Sequence, residues 1–362
     1  MCFMKKFTCA LLIILISFNV TCAATVSKDL NQDSEIAKER EIGRKAMKQI
    51  EEQWPLTSDP AAISKLEVIM RKLEPYMERR FDWEIRLVKS DALNAFCLPG
   101  GYIFFTTGML KMLNTDSELA AVMAHEMIHA DKKHGLKMAA EKNKVTLGAI
   151  AVMLLGASAG TAAPILLAQV AQIAITSSYT MELETEADRL GMQALIKSGY
   201  SPTGMITLFE RFIAEDYKQP VRDYGIYMDH PETPKRLELA IKALRDRNIP
   251  IERKYPLGLL RTKIQEESNN VTLLIDGRAV LSGDKKPETR ESIAKLREAI
   301  DKYLQLELAP YELHLVNGAL YIGNHLTAGN VEGITKPEEI RKNLLKAINL
   351  ARAKYPTARF FK

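Results

Sequence analysis

Cysteine is nearly absent from this sequence beyond its first 22 residues. Of its four cysteines, Cys2, Cys9 and Cys22 belong to that opening stretch, and Cys97 is the only thiol in the rest of the 362 residues. Once the opening stretch is removed, no intrachain disulfide can form, so a small disulfide-stapled fold is excluded. We expect Cys97 to be a small buried apolar residue, with a metal-reaching thiolate as the minor alternative.

A strong net charge is also lacking. Fifty Lys and Arg residues against 45 Asp and Glu residues give a formal charge of +5. Removal of Lys5 and Lys6 with the opening stretch, which holds no acidic residue, leaves +3 (5 minus 2). Such a mildly basic chain gives no indication of a nucleic-acid partner.

A long apolar run at the amino terminus is missing as well. The run at 7–18 is too short for a membrane span, but it follows Lys5 and Lys6 and precedes small residues at 21–24. This arrangement predicts a signal peptide over 1–24. The protein is then expected in the periplasm or cell envelope, either free or as an outer-membrane lipoprotein attached through Cys22.

Charged side chains are absent from Val145 to Met181, although the rest of the chain is richly charged. The sequence GASAGTAAP divides this segment into halves that are each shorter than the roughly 20 residues of a membrane-spanning helix. We therefore predict an apolar helical hairpin over 145–181. Its role is open between packing inside the domain, self-association, contact with a membrane surface and a lid over a cleft.

HEMIH, from His125 to His129, is the most informative motif that the sequence contains. Histidines at i and i+4 project from one face of a helix, so both can bind one metal ion while Glu126 lies beside them. Zinc held by three protein ligands keeps a fourth position for a water, which a glutamate can deprotonate. The motif predicts one Zn²⁺ per chain and peptidase chemistry. The alternatives are a helix that binds no metal, or iron or manganese on the same ligands.

We predict a single helix from Thr115 to His134, begun by a capping box of Thr115 and Glu118. On a continuous helix His134 is rotated by about 500° from His129, so we expect it at the surface or behind the ligands. The third ligand then has to come from elsewhere. The stretch 181–191 is the candidate source, because it offers three glutamates.

Four motifs occur together in the order and spacing of one peptidase family. They are LNAFCLPGGYIFFTTGML at 93–110, HEMIHADKKHG at 125–135, ELETEADRLG at 182–191 and DHPETPKR at 229–236. With them the chain resembles the zinc metallopeptidases of family M48 over about residues 33–250. The resemblance implies a mainly helical, gluzincin-type metallopeptidase domain with a small sheet, placed at 25–250, that acts on polypeptide substrates.

The resemblance implies Glu184 as the third zinc ligand and Asp188 as the carboxylate that orients a zinc-binding histidine. Helix geometry agrees, because the two residues share a face and zinc-bound imidazoles usually donate their second N–H to a carboxylate. Spacing alone leaves Glu182 and Glu186 open as a competing pair.

The resemblance further implies that His230 and Arg236 belong to the catalytic site. His230 would be a movable fourth ligand or a hydrogen-bond donor to the transition state, and Arg236 would steady its loop or polarise a substrate carbonyl. The alternative is an ordinary turn that starts a helix at Glu232.

A substrate-binding strand is implied by the first motif. An edge strand over 101–106 would let an extended peptide add to the sheet beside the zinc ion. The alternative is a turn followed by a structural strand. The residues predicted to contact substrate are Asn94, Gly100, Gly101, Tyr102 and Ile103.

The pattern changes after about residue 249 and predicts a second domain at 256–362. Two hairpins, each followed by a helix, give a ββαββα module, so the whole chain is expected to be α+β. The hairpins are Val271–Ser282 and Tyr311–Gly323, and the helices are Glu288–Leu306 and Pro337–Ala353. Docking or substrate selection is the only role that we expect for it.

These observations predict a secreted zinc metalloendopeptidase that cuts cell-envelope proteins, with protein quality control as the role implied by the resemblance. An envelope chaperone or adaptor with a zinc site and little proteolysis is the second hypothesis. Glu126 argues against the second, because a structural zinc site normally has a closed set of four ligands. A membrane-embedded protease is a third hypothesis.

Overall fold

The structure, a computed structural model, describes residues 32–52, 54–113, 115–155, 162–176, 179–218 and 233–355. The predicted signal peptide with Cys22, and also His230, lie outside these ranges. Helices dominate the described residues and three small sheets accompany them. The α+β prediction is therefore confirmed at this level.

The described residues up to 250 hold most of the helices and one four-stranded sheet. Its helices are α1 (32–52), α2 (Pro60–Leu73), α3 (Thr107–Met112), α4 (Asp116–Asp131), α5 (His134–Lys142), α6 (Leu147–Leu155), α7 (Ala162–Ile175), α8 (Met181–Ser198), α9 (Thr203–Lys218) and α10 (Thr233–Arg245). Its strands are β1 (Leu56–Thr57), β2 (Glu84–Val88), β3 (Ala95–Leu98) and β4 (Tyr102–Thr106).

The sheet has the order β1-β2-β4-β3, so β3 forms one edge and β4 is internal. Strand β2 pairs with β4 in parallel, with Ile85 opposite Ile103, and β3 pairs with β4 in the antiparallel sense. Gly100 and Gly101 turn the chain between β3 and β4 with φ values of 82° and 88°, which only glycine adopts easily. The prediction that 101–106 is an edge strand is wrong, because β2 covers the far side of β4.

Helix α4, which carries HEMIH, begins at the predicted cap, since the Thr115 side chain accepts from the N–H of Glu118. Every residue from Glu118 to Asp131 is buried. Helix α8 lies against it with Gly191 at the contact, where an added Cβ would meet the His125 backbone nitrogen at 3.4 Å. This close approach brings the acidic residues of α8 to the histidines of α4.

The helix predicted to run to His134 ends earlier. Helix α4 stops at Asp131, Lys133 adopts a left-handed conformation with φ of 58°, and His134 starts α5. The prediction of a continuous helix is therefore wrong at this point. The expected rotation of His134 away from His129 does not apply, since the backbone changes direction between them.

Helices α6 and α7 occupy the uncharged segment. They pack on α1 and α5 through apolar residues that include Ile42, Leu136, Ile150 and Val170. The outward side chains of Val152 and Ile165 remain 71% and 69% exposed. Within the described ranges, no helix combines the length and the apolar character that crossing a membrane requires.

The remainder of the chain forms its own core. After α11 (Lys254–Leu257) it contains two antiparallel three-stranded sheets, each followed by a helix, and apolar side chains from all of these elements meet in one cluster. The elements are β5 (Thr262–Glu266), β6 (Asn270–Ile275), β7 (Arg278–Asp284), α12 (Pro287–Tyr303), β8 (Leu313–Val316), β9 (Ala319–Ile322), β10 (His325–Ala328) and α13 (Pro337–Lys354). The predicted two-stranded hairpins are corrected, because β5 and β10 each add a third strand.

Candidate metal centre

Three side chains from two helices converge on one point. The Nε2 atoms of His125 and His129, one turn apart on α4, lie 2.9 Å from each other. The Glu184 carboxylate on α8 places Oε2 3.4 Å from the first nitrogen and Oε1 3.5 Å from the second. These residues form a group able to hold a metal ion, and each side chain is at most 2% exposed.

The spacing and chemistry of these atoms fit a zinc ion. Ligand atoms about 2.0–2.1 Å from a tetrahedral zinc lie about 3.3–3.4 Å apart. The two separations between a histidine nitrogen and a Glu184 oxygen, 3.4 and 3.5 Å, are close to this value, and the two histidine nitrogens are nearer, at 2.9 Å. Two imidazole nitrogens and a carboxylate are also the donor set of an open, hydrolytic zinc site. Lone pairs that face one buried point need a cation or a proton between them.

The ring of His125 is oriented by a carboxylate on its far side. Its Nδ1 lies 2.9 Å from Oδ1 of Asp188. Since a carboxylate only accepts, Nδ1 carries the proton and Nε2 presents a lone pair to the centre. Burial alone would lower the pKa of His125, but the Glu184 and Asp188 carboxylates raise it to about 9. A proton therefore replaces the cation readily when no metal is bound.

Arg236 on α10 binds both acidic residues of the centre. Its Nε and Nη2 donate to the two oxygens of Asp188, each at 2.7 Å, and Nη1 lies 2.8 Å from Oε2 of Glu184. Burial opposes ionisation of Asp188, but Arg236 and His125 outweigh it and lower its pKa. The guanidinium is only 2% exposed and is held by the two carboxylates, while the implied tasks of steadying its loop or polarising a substrate carbonyl stay predictions.

The far side of His129 contacts His134, which the sequence left open between the surface and a place behind the ligands, and Tyr179, which it did not assign to the site. His134 Nδ1 lies 3.0 Å from His129 Nδ1, and His134 Nε2 lies 3.2 Å from Oε2 of Glu186. Tyr179 stacks on the His129 ring with a centroid separation of 4.0 Å. Burial lowers the pKa of His134 to about 4 despite Glu186, so this histidine is neutral at pH 7.

Glu126 is 2% exposed and lies close to Cys97 and Tyr179. Burial, with a smaller contribution from the Glu126 carboxylate, raises the pKa of the Cys97 thiol and of the Tyr179 hydroxyl well above their usual values. Cys97 is thus a buried thiol, as its default interpretation predicts, and not a thiolate directed at a metal.

The predicted substrate residues lie around β3 and β4, and all of them are buried. The Asn94 side chain donates a hydrogen bond to the Ile175 carbonyl at 3.1 Å. Asn94 therefore binds the end of helix α7. Tyr102 and Ile103 belong to the internal strand β4. These contacts make Asn94 a structural anchor, and they leave β3 as the strand at which a peptide could pair.

The sequence holds a signal for two of the residues around His129, but not for Tyr179. His134 and Glu186 both follow patterns that are visible in the chain, a histidine five residues after HEMIH and an acidic residue between Glu184 and Asp188. His134 and Glu186 come together only because helix α4 ends at Asp131, and no glycine or asparagine occupies the left-handed position that ends it. Tyr179 carries no comparable signal.

Comparison with known proteins places this centre in a described family. The model described as peptidase family M48 matches residues 60–245, which is just over half of the chain and contains α4, α8 and α10. The match thus covers the elements that supply His125, His129, Glu184, Asp188 and Arg236.

Curated relatives match between 40% and 56% of the chain. The beta-barrel assembly-enhancing protease of Escherichia coli (strain K12) is 28% identical over 211 residues, 56% of this chain and 43% of that protein. The mitochondrial metalloendopeptidase OMA1 of Schizosaccharomyces pombe is 30% identical over 155 residues, 43% of this chain and 44% of that protein. Metalloprotease LoiP of Escherichia coli (strain K12) is 31% identical over 150 residues, 40% of this chain and 56% of that protein. In each case the chain spans less than two thirds of the relative.

Proposed function

The chain belongs to peptidase family M48, and from this membership we propose that it is a zinc-dependent endopeptidase that hydrolyses peptide bonds of cell-envelope proteins. The observation that carries the proposal is the convergence of two imidazole nitrogens and one carboxylate on a single point, beside the glutamate of HEMIH. The metalloendopeptidase names of the relatives support the same reaction class.

His125, His129 and Glu184 would hold one zinc ion per chain. When bound, zinc supplies Lewis-acid chemistry, because it makes a water acidic and polarises a carbonyl. Glu126 is the residue next to the ligand His125, where its carboxylate can take the proton of the attacking water and return it to the leaving amine. Asp188 holds the ring of His125, and Arg236 offsets the negative charge of Glu184 and Asp188.

An extended polypeptide is the substrate class that the fold favours. Strand β3 is an edge strand, and the alternation of antiparallel pairing leaves backbone groups of Ala95 and Cys97 facing away from β4. A peptide that pairs there lies beside α4, which packs against the same strand. Recognition would therefore depend on backbone hydrogen bonds first, as expected for an enzyme that acts on unfolded or misassembled proteins.

Helix α7 has to move before a peptide reaches β3. Cys97 and His129, together with Val170 and Ala174 of α7, line a cavity of only about 10 Å³, which is room for one water at most. The hydrogen bond from Asn94 to Ile175 holds the end of α7 in the same place. The apolar hairpin is thus a cover over the strand, and its exposed residues Val152 and Ile165 could contact a membrane surface or a second copy.

Secretion to the periplasm or cell envelope is part of the proposal. It is supported by the predicted signal peptide over 1–24 and by the relative whose name refers to beta-barrel assembly. Protein quality control in that compartment is the role we propose.

The test compares wild type with Glu126→Gln on an unfolded protein substrate. We expect cleavage to fall by about 10²–10⁴-fold, the usual contribution of a general base, while bound zinc is unchanged. Glu182→Gln is the matched control, since it makes the same charge change at an exposed position of α8. A chelator should abolish wild-type cleavage and zinc should restore it. Equal cleavage by wild type and Glu126→Gln would remove the assignment.

An envelope chaperone or adaptor is the second candidate, and burial of the centre is the observation that favours it. His125, His129 and Glu184 are all nearly inaccessible, as in structural metal sites. The two candidates differ in one outcome. A zinc-loaded wild type that binds unfolded protein and never cuts it would favour the adaptor.

A further inference from the structure

His134 occupies a position that the break in the helix creates. The left-handed residue Lys133 turns the chain, and His134 then points back at the ligand His129 from the first turn of α5. Its side chain is completely buried. A buried polar ring requires hydrogen-bond partners, and His134 finds them on both of its nitrogens.

The two contacts of His134 fix where its proton lies. Nε2 of His134 faces Oε2 of Glu186 at 3.2 Å, and because a carboxylate only accepts, Nε2 carries a proton. Nε2 of His129 faces His125 and Glu184, so as a ligand His129 offers its lone pair there and carries its own proton on Nδ1. That N–H points at Nδ1 of His134, 3.0 Å away, which is therefore the acceptor.

The ring plane of His129 is fixed as well. His134 holds the edge of the ring through the hydrogen bond at Nδ1, and Tyr179 covers one face at a centroid distance of 4.0 Å with an interplanar angle of 21°. His125 is held differently, by the Asp188 carboxylate directly. The two histidines of one motif therefore receive their orientation from different elements, α8 for His125 and α5 for His129.

We propose that His134, supported by Glu186, is a positioning residue that sets the tautomer and the orientation of the zinc ligand His129. This inference rests on the proposed function, since it concerns the same metal site. Partners behind a metal ligand are worth about 10- to 100-fold in metal affinity, and an imidazole between Glu186 and His129 passes on less negative charge than a direct carboxylate. His129 is thus the more weakly supported ligand of the pair.

The experiment measures zinc affinity of the full chain by competition with a chromophoric chelator. His134→Leu removes the acceptor, and we expect zinc to bind about 10- to 100-fold more weakly. His134→Asn keeps an oxygen near the place of Nδ1 and should recover most of that loss. Glu186→Gln should weaken binding less than His134→Leu. Glu182→Gln, on the same helix and exposed, is the matched control and should bind like wild type.

A spectroscopic readout separates positioning from packing. The visible spectrum of the cobalt-substituted protein should change in His134→Leu and return towards wild type in His134→Asn. Long-range proton–nitrogen correlations on the zinc form should place the His129 proton on Nδ1. Wild-type affinity and an unchanged cobalt spectrum in His134→Leu would overturn the inference, as would equal losses in His134→Leu and His134→Asn. Failure of the wild type itself to bind zinc would instead remove the proposed metal site.

Discussion

The peptidase part and the carboxy-terminal part of the molecule place their charges differently. The peptidase part has exposed ion pairs, such as Asp91 with Lys111, but it also buries ion pairs, such as Glu39 with Arg79 at 6% and 9% side-chain exposure and Asp188 with Arg236 in the metal centre. In the carboxy-terminal part the pair of Glu266 and Arg290 is 44% exposed on both sides. There, apolar side chains from two sheets and two helices make the core.

Because the peptidase part buries charges at its metal centre, its stability depends on its functional residues, and that of the carboxy-terminal part does not. A buried charge costs free energy unless a partner compensates it, whereas an exposed pair contributes little. The centre places Glu184 and Asp188 in the interior, and Arg236 together with a cation or proton between the histidines balances them. Changes at the metal centre should therefore destabilise the peptidase part, and changes in the exposed pairs should not matter.

Removal of the buried arginine should give the largest effect. Arg236→Met leaves Glu184 and Asp188 without their buried counter-charge, and we expect the metal-free protein to lose about 3–5 kcal/mol of unfolding free energy. The matched change Arg290→Met removes an exposed pair and should cost about 0–1 kcal/mol. Urea unfolding measures both. Arg236→Lys, which keeps the charge, should recover part of the loss, and similar midpoints for Arg236→Met and Arg290→Met would break the comparison.

Removal of zinc should affect one part of the molecule. At a zinc concentration 1,000 times its dissociation constant, binding should stabilise the folded site by about 4 kcal/mol. The chain has two tryptophans, Trp54 and Trp83, both in the peptidase part, so their fluorescence follows that part alone while circular dichroism follows the whole chain. We expect a chelator to lower the fluorescence midpoint and to leave a separate carboxy-terminal transition in place.

A single shared transition would contradict this expectation. It would mean that the contacts between the two parts make them one cooperative unit. Those contacts include the Glu210 carboxylate of α9 with Arg253 at 2.7 Å and with the Tyr355 hydroxyl at 2.5 Å.

Thiol reactivity gives the smallest and most local comparison. With Cys2, Cys9 and Cys22 replaced by serine, Cys97 is the only thiol, and its burial and raised pKa should make alkylation at pH 8 slow. A Leu326→Cys thiol in the other part, at a residue that is 59% exposed, should react at the rate of a free thiol. Asn94→Ala, which removes the hydrogen bond to α7, should speed Cys97 alkylation several-fold. If Cys97 were alkylated as fast as the thiol of the Leu326→Cys variant, helix α7 would not cover strand β3.

Much of the metal centre could be predicted because two of its three ligands are close together in the sequence. The spacing of His125 and His129 on one helix fixes a shared face, and the resemblance to the family supplied Glu184 and Asp188. Arg236 was assigned to the centre through its motif, but its contacts with Glu184 and Asp188 were not predicted, because sequence alone does not reveal that its guanidinium is buried against two carboxylates. On the outer side of His129, His134 was left open between the surface and a place behind the ligands, since a lysine in a left-handed conformation gives no compositional signal of a helix break.

The strands were harder to predict for a different reason. Strands β3 and β4 form a visible hairpin, but whether β4 is an edge depends on β2, which pairs with it from a distant part of the chain. Strand β5 has a polar sequence, TKIQE, and β10 has four residues, so neither shows a clear alternation of apolar side chains. A distant pairing partner decided the case of β4, whereas a weak apolar pattern hid β5 and β10, which pair with the neighbouring strands β6 and β9.

The most direct test of the central claim is the position of zinc in crystals of the full chain, measured by anomalous scattering at the zinc edge. The account predicts one peak per chain, about 2.0–2.1 Å from Nε2 of His125, from Nε2 of His129 and from an oxygen of Glu184. A peak bound to Cys97, or crystals soaked in zinc with no density between these three side chains, would contradict it.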